Sequence, residues 1–306
     1  MTRNAASAEV IINTGSGSYV DGETVEILTQ EFKAGGIKPN FHLVKNGREL
    51  TATARQAARS DTKIIVAGGG DGTISAVAAE VAGTGKVLGI LPLGTLNNFS
   101  KDLEIPQELA EAARLITVQH TTTIDLAEVN GRIFINNSSI GLYPRIVRKR
   151  DQQIQRLGYG KWRAAMWATL RIFRIARFLR VRIEVDGKTF LRKTPFVFVG
   201  NNRYEMDLFS IGRRERLDSG KLSIYFLHRG GRWGVIMLLW HTVTRRVRQW
   251  RDFEEVLTHS VTIQSRRKRL AVAFDGEVEV TEMPLEYKIL PLALTVIVPK
   301  EAQDDA

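Results

Sequence analysis

The sequence predicts an α/β domain followed by an all-β domain, and three observations support this. Up to about residue 125, short β-branched apolar segments alternate with longer segments of helical periodicity. From about residue 123 the pattern changes to period-two alternation broken by Asn-Gly and Asp-Gly pairs. A run of glycines directly follows one of the early apolar segments, at a strand-to-helix junction.

In the first part, residues 10–12 read as a strand and 20–32 as a helix. Residues 40–44 and 48–59 repeat the strand and helix. A third strand is expected over 63–67, a small-residue helix over 73–81 and a fourth strand over 87–91. This βαβα order implies a mainly parallel sheet in a three-layer domain. Ligands of such sheets bind beyond the carboxyl ends of the strands. Both the glycine run and the turn Pro92-Leu93-Gly94-Thr95 fall there.

In the second part, 124–129 and 133–137 flank Asn130-Gly131, a pair suited to a type I′ hairpin turn. Residues 181–185 and 189–191 flank Asp186-Gly187 in the same way. Further strands are expected at 196–200, 222–227, 261–264, 270–274 and 294–298, which together suggest a sandwich. Two helical insertions are expected, over 161–178 and 233–250. The predicted domains are 1–125 and 126–306, with a return of the extreme C-terminal strand to the first domain left open.

Composition narrows the function. The 306 residues hold 43% hydrophobic and 25% charged side chains, ordinary for a globular chain. With no cysteine, disulfides, thiol catalysis and Cys-based metal sites are excluded. The five histidines show no metal-ligand spacing. The 44 Lys+Arg against 33 Asp+Glu give +11, which favours anionic partners. The N-terminus lacks a secretory apolar core, and 235–240, an apolar run, is far short of the roughly 20 residues of a spanning helix. A cytoplasmic protein is the expectation.

In Gly68-Gly69-Gly70-Asp71-Gly72-Thr73, three successive glycines permit torsions closed to other residues and let peptide N–H groups approach a phosphate. A helix starting near Thr73 points its dipole at the same anion. Asp71 beside a phosphate calls for a metal or a proton to mediate. A tight turn with an Asx cap is the alternative reading of these residues. The P-loop pattern fails, since Gly85-Lys86 is followed by Val87, and the dinucleotide pattern fails at Thr73.

Gly69 to Thr73 matches G-G-D-G-T, and 92–99 matches P-x-G-T-x-N-D-F with Asn98 in place of the aspartate. Asn13-Thr14-Gly15-Ser16-Gly17 is close to N-P-x-S-G, with Thr14 for the proline. Gly200-Asn201-Asn202 with Tyr204, Leu217-Asp218-Ser219-Gly220-Lys221-Leu222 and Asp275-Gly276-Glu277 follow in order. Taken together, these segments resemble the catalytic domain shared by diacylglycerol kinases, sphingosine kinases and bacterial lipid kinases, over most of the chain. The resemblance implies an NAD-kinase-like α/β domain with a β-sandwich, and transfer of the γ-phosphate of ATP to a lipid hydroxyl.

It also implies roles. Asn13, Gly68, Gly69, Gly70, Gly72, Thr73, Gly94, Thr95 and Asn97 would hold ATP. Asp71 would organise Mg²⁺, and the Asp218 loop would carry a structural Mg²⁺. Glu277 would be the general base, with Asp275 beside it. Asn98 removes a carboxylate from the first metal network, and Ser219 removes a side-chain ligand from the second. Without the resemblance, Glu277 reads as a hairpin carboxylate facing solvent.

The positive charge concentrates at 145–182 and 232–251, interleaved with aromatics such as Tyr159, Trp162, Trp167 and Trp240. Such segments suit peripheral contact with an anionic membrane, or packing on the sandwich with a basic face to water. No nucleic-acid-binding motif accompanies the charge, so no nucleic-acid partner is expected. A membrane lipid is the expected substrate partner, and a homodimer is compatible with this reading. An NAD-kinase-type enzyme shares the glycine loop but would need a G-S-T-A-Y-like segment absent here. A non-catalytic lipid- or nucleotide-binding regulator is the other alternative, favoured by Asn98 and Ser219.

Overall fold

The computed structural model describes residues 6–15, 20–141, 178–206, 211–214, 216–227 and 253–300. The helices expected over 161–178 and 233–250 lie outside these residues, Phe178 excepted. The chain divides into two compact units, one of residues 1–126 with 291–306 and one of residues 127–290.

The first unit is built on β1 (Ala6–Asn13), α1 (Gly22–Ala34), β2 (Ile37–Val44), α2 (Gly47–Arg59), β3 (Ile64–Gly69), α3 (Asp71–Val81), β4 (Val87–Pro92), α4 (Asn98–Asp102), α5 (Leu109–Val118) and the start of β5 (Thr121–Val129). The strands order as β2-β1-β3-β4, all parallel. β3 is buried along its whole length, as its unbroken apolar run requires of a strand covered on both faces. α1 packs on α5, and α2 packs on α3. Helix starts are set by side chains that satisfy otherwise orphaned N–H groups. Asp21 Oδ1 accepts from the Thr24 N–H (2.9 Å), and Asn46 Oδ1 accepts from the Glu49 N–H (3.0 Å).

The strand order reverses direction at β1: the chain first moves outward to β2, then crosses back to place β3 on the other side. Such a switch point leaves a crevice at the carboxyl ends of the two central strands, here β1 and β3. The candidate site lies at that crevice.

The second unit comprises the end of β5, then β6 (Arg132–Phe134), β7 (Asn137–Gly141), β8 (Leu179–Val185), β9 (Lys188–Thr194), β10 (Phe196–Asn201), β11 (Tyr204–Met206), β12 (Ile211–Arg214), β13 (Leu222–Leu227), β14 (Phe253–Thr258), β15 (Ser260–Ser265), β16 (Arg269–Phe274), β17 (Glu277–Glu282) and the first part of β18 (Leu285–Ile297). One antiparallel sheet orders β14-β13-β10-β7-β16-β17, and the facing set runs β18-β15-β8-β9, with β5 and β6 beside β18. Ile140, Val199, Ile224 and Val272 from one sheet share a core with Phe134, Ile183, Ile263 and Tyr287 from the other. This is the antiparallel β-sandwich that alternating strands predict.

Three hairpin turns have both central residues at positive φ, as a type I′ turn demands: Asn130 and Gly131 (47° and 84°), Asp186 and Gly187 (47° and 75°), Asp275 and Gly276 (46° and 91°). Element ends differ from the sequence reading where hydrogen bonding outlasts the apolar pattern. β1 starts at Ala6, not residue 10, because Ala6 to Glu9 pair with Ile37 to Asn40. α3 starts at Asp71, since the Ile74 N–H already bonds the Gly70 carbonyl (3.1 Å). β14 and α5 escaped the sequence reading. β18 is much longer than expected at 294–298; its later residues Thr295 and Val296 pair in parallel with β4 in the first unit. The buried carboxylate of Asp125 accepts the Leu292 N–H (2.9 Å), where Leu292 turns to φ 48°.

Candidate active site

At the end of β1, the Asn13 side chain spans the switch point. Its Nδ2 donates to Thr73 Oγ1 on α3 (3.0 Å), and its Oδ1 accepts from the Gly15 N–H (3.0 Å). Thr73 is buried. A Cβ on Gly69 would stand 2.5 Å from the Thr73 Cβ, so Gly69 and Thr73 occupy mutually exclusive space. The Pro92 turn closes in from β4. A Cβ on Gly94 would stand 2.5 Å from the Gly70 Cα, and the Leu93 N–H bonds the Gly69 carbonyl (3.0 Å).

These contacts correct one element of the sequence reading. The glycines at 68, 69, 70 and 72 are not at positive φ; Gly70, for instance, is extended at φ −84°. Close approach, not a special torsion, explains these glycines: the Thr73 side chain crowds Gly69, and the backbones of Gly70 and Gly94 face each other. The result is a bare peptide surface beside the N-terminus of α3, whose own cap supplies no side-chain hydrogen bond. Such a surface receives anions. Thr95 is exposed on the same turn.

Asn97, expected to contact nucleotide, instead organises the turn. It is buried at φ 51°, its Oδ1 accepts from the Gly94 N–H (2.9 Å), and its Nδ2 donates to Gln107 Oε1 (3.2 Å). Gln107 was missed by sequence reasoning. It also donates to the Ile105 carbonyl (2.8 Å) and Ser100 Oγ (3.1 Å), tying the turn to the stretch after α4.

Asp71 is the first residue of α3, where a negative charge complements the helix dipole. Its carboxylate reaches across to α4. Oδ2 accepts from the Asn98 N–H (3.1 Å) and Oδ1 from the Phe99 N–H (3.0 Å). The Asn98 position, where a second carboxylate was expected, is an exposed amide that contributes its backbone donor. Mg²⁺ bound with nucleotide needs only one or two protein carboxylates, the rest coming from water and phosphate. The fixed Asp71 carboxylate fits that demand.

The Asp218 loop does not fit a metal. Asp218 receives the Arg216 guanidinium at 3.0 and 3.2 Å. The Ser219 N–H and hydroxyl both donate to Asn202 Oδ1 (3.0 and 2.6 Å). Among the described residues, no three His, Cys, Asp or Glu side chains cluster as metal ligands. An exposed Arg216–Asp218 pair and the two hydrogen bonds to Asn202 hold this loop.

In the second unit Asp275 and Glu277 part company. The Asp275 carboxylate accepts three backbone N–H groups: Ile135 (2.9 Å), Asn136 (2.8 Å) and Asn137 (3.0 Å). The carbonyls of the same loop are met from the other side. Asn201 Nδ2 and the buried Arg214 both donate to the Ile135 carbonyl (2.9 and 2.7 Å), and Arg214 also donates to Asn136 Oδ1 (2.9 Å). Asp275, expected among the catalytic groups, is thus engaged in positioning this loop. Glu277 opens β17 as an exposed carboxylate facing Arg132 at 3.2 Å. Arg132 also pairs with Glu279 and lies 4.5 Å over the Phe274 ring. Arg132 was not singled out from sequence; its place just after the Asn130-Gly131 turn was the available signal.

A glycine-lined strand end at the switch point of a parallel sheet, on a chain that continues into an antiparallel sandwich, is the arrangement of a nucleotide-binding domain. The comparisons agree. The diacylglycerol kinase catalytic domain matches residues 7–129, and the YegS C-terminal NAD kinase β-sandwich-like domain matches residues 139–298. A diacylglycerol kinase of Staphylococcus haemolyticus is 22% identical over 97% of this chain and 90% of its own. One from Bacillus subtilis is 30% identical over 60% of this chain and 61% of its own. The solved structure of a diacylglycerol kinase from Bacillus anthracis str. Sterne shares the fold, with TM-score 0.68 and 22% identity over 98% of this chain and 99% of that one. The chain belongs to the diacylglycerol kinase catalytic family with a YegS-type C-terminal domain. It is a lipid kinase by class, a transferase that takes ATP as co-substrate.

Proposed function

We propose that this enzyme phosphorylates the hydroxyl of a membrane lipid, diacylglycerol giving phosphatidic acid, with Mg²⁺–ATP as donor. The observation that carries the reading is the bare peptide surface formed by Gly69, Gly70 and Gly94 beside Asp71. It leaves phosphate oxygens room at the uncapped N-terminus of α3 and offers one carboxylate to a divalent ion. That ion, held by Asp71, would neutralise charge on the phosphates. The lipid hydroxyl oxygen bonds to the γ-phosphorus as the bond from that phosphorus to the bridging β–γ oxygen breaks, releasing ADP. The hydroxyl proton passes to the Glu277 carboxylate. Positioning supplies most of the rate in such transfers, which is consistent with how tightly hydrogen bonds fix the turns at Asn97 and Asp275.

The test is label transfer from ATP to lipid extracts, with the product identified by mass. Labelled phosphatidic acid is the expected result. A different labelled lipid would reassign the substrate, and absence of any lipid product would overturn the reading. Glu277→Gln should cut kcat by at least about 100-fold with the fold intact; normal turnover in that variant would remove Glu277 as base.

A further inference from the structure

The strands β8, β9 and β15 carry a feature that the phosphotransfer site does not use. In their antiparallel registers Arg180 faces Lys193, Arg182 faces Leu191, and Gln264 faces Arg182. Paired residues project to one side, so these side chains share the outer face, while Val181, Ile183 and Ile263 point into the core. Arg266 follows just beyond β15. These residues line a groove of about 530 Å³. Leu191 sits in it 72% exposed.

The charge on this face is polarised. Arg182 is matched by Glu184 (2.7 Å), and Arg192 on the opposite side of β9 turns to Glu254 (2.9 Å). Among the described residues no carboxylate lies within ion-pair distance of Arg180, Lys193, Arg266, Arg267 or Lys268. The acids Glu184 and Glu286 fall toward the other end of the face, where Lys288 is matched by Glu128.

We propose that this basic end of the β8–β9–β15 face is a docking surface for an anionic phospholipid bilayer, with Leu191 entering the headgroup boundary. Unmatched cations around an exposed aliphatic side chain suit a charged surface with an apolar interior. The choice of a bilayer rests on the lipid-kinase reading above, since the substrate of such an enzyme is held in a membrane.

The test is co-sedimentation of the full chain, without nucleotide, with phosphatidylcholine vesicles containing or lacking phosphatidylglycerol. Wild type should prefer phosphatidylglycerol vesicles, and the preference should shrink as salt rises. The triple variant Arg180→Glu, Lys193→Glu, Arg266→Glu should lose about tenfold or more of that affinity. Arg180→Lys with Lys193→Arg should keep it, as should Lys288→Glu at the acidic end of the face. Leu191→Ser should weaken binding several-fold. Unchanged vesicle binding by the triple variant would overturn the proposal. It would point instead to edge-strand cations that only discourage strand pairing, a role glutamates fill equally well. Loss of duplex DNA binding with vesicle binding unchanged would overturn it too. Phosphate transfer to short-chain diacylglycerol in detergent micelles separates the two readings. If wild type transfers to no lipid yet the triple variant loses vesicle binding, the kinase reading fails while the docking surface stands.

Discussion

The carboxylate of Asp71 accepts the backbone N–H of Phe99 at 3.0 Å, so the first residue of α3 caps the first turn of α4. Two pieces of chain 28 residues apart are thereby locked in register across the switch point. Removing this carboxylate leaves two helix N–H groups without their acceptor. Asp71→Ala should cost about 1 kcal/mol of stability, the scale of a lost cap, readable by urea denaturation. Its turnover should fall by at least about 100-fold, well beyond what that small loss of fold explains. Turnover near wild type would confine Asp71 to a capping role.

Gly94 lets two backbones touch, and Gly69 makes room for the Thr73 side chain. Gly94→Ala places a Cβ 2.5 Å from the Gly70 Cα, a backbone atom that cannot turn aside. Gly69→Ala meets the buried Thr73 side chain at the same 2.5 Å. Each should destabilise by about 1–3 kcal/mol, the usual cost of overpacking, and weaken ATP binding. Calorimetric titration with ATP and thermal melts check both; a wild-type melt for Gly94→Ala would contradict this packing.

The Asp218 loop is closed by Arg216 and by the Ser219–Asn202 bonds. A chelator should therefore leave the melting temperature unchanged while abolishing transfer from ATP. A chelator-induced drop of several degrees would show a structural divalent ion after all.

Glu9 gives the fold a dependence on pH. Partial burial acts to raise its proton affinity, but hydrogen bonds from His42 (2.6 Å), Asn40 (2.8 Å) and Thr62 (3.1 Å) outweigh it, and its pKa is lowered. A carboxyl with a folded pKa below its unfolded value contributes stability above the unfolded value. That contribution is lost as pH falls through the folded one. Glu9→Gln should thus be less stable than wild type at neutral pH, and the gap should close below the ordinary carboxylate range. Urea midpoints measured across that acid range check it; a gap independent of pH would mean the loss is steric.

Arg132 faces Glu277 on an exposed surface, where ion pairs contribute little. Arg132→Ala should therefore change stability by less than about 1 kcal/mol. Turnover should nonetheless fall several-fold, because Arg132 holds the Glu277 carboxylate. Matching kinetics in mutant and wild type would mean Arg132 plays no part in holding Glu277.

The sequence by itself determined the local grammar. Periodicity placed the strand and helix cores, because burial on one or two faces imposes it on the residues themselves. Asn-Gly and Asp-Gly pairs marked the hairpins, because few other residues accept two successive positive φ values. The glycine run marked the strand end where β3, α3 and the Pro92 turn pack closely. Tertiary structure decided what those residues do with their side chains. Asn97 and Asp275, polar residues in motif positions, turned out to hold loops through bonds to Gly94 and to Ile135 through Asn137, partners set by the fold. Arg214 carries no local signature, since its partners, the Ile135 carbonyl and Asn136, lie 79 and 78 residues away in the chain. The clustering of unmatched cations on the β8–β9–β15 face is equally invisible in sequence. It exists only because strand register brings Arg180 beside Lys193, and a sheet, unlike a motif, is written in pairings between segments.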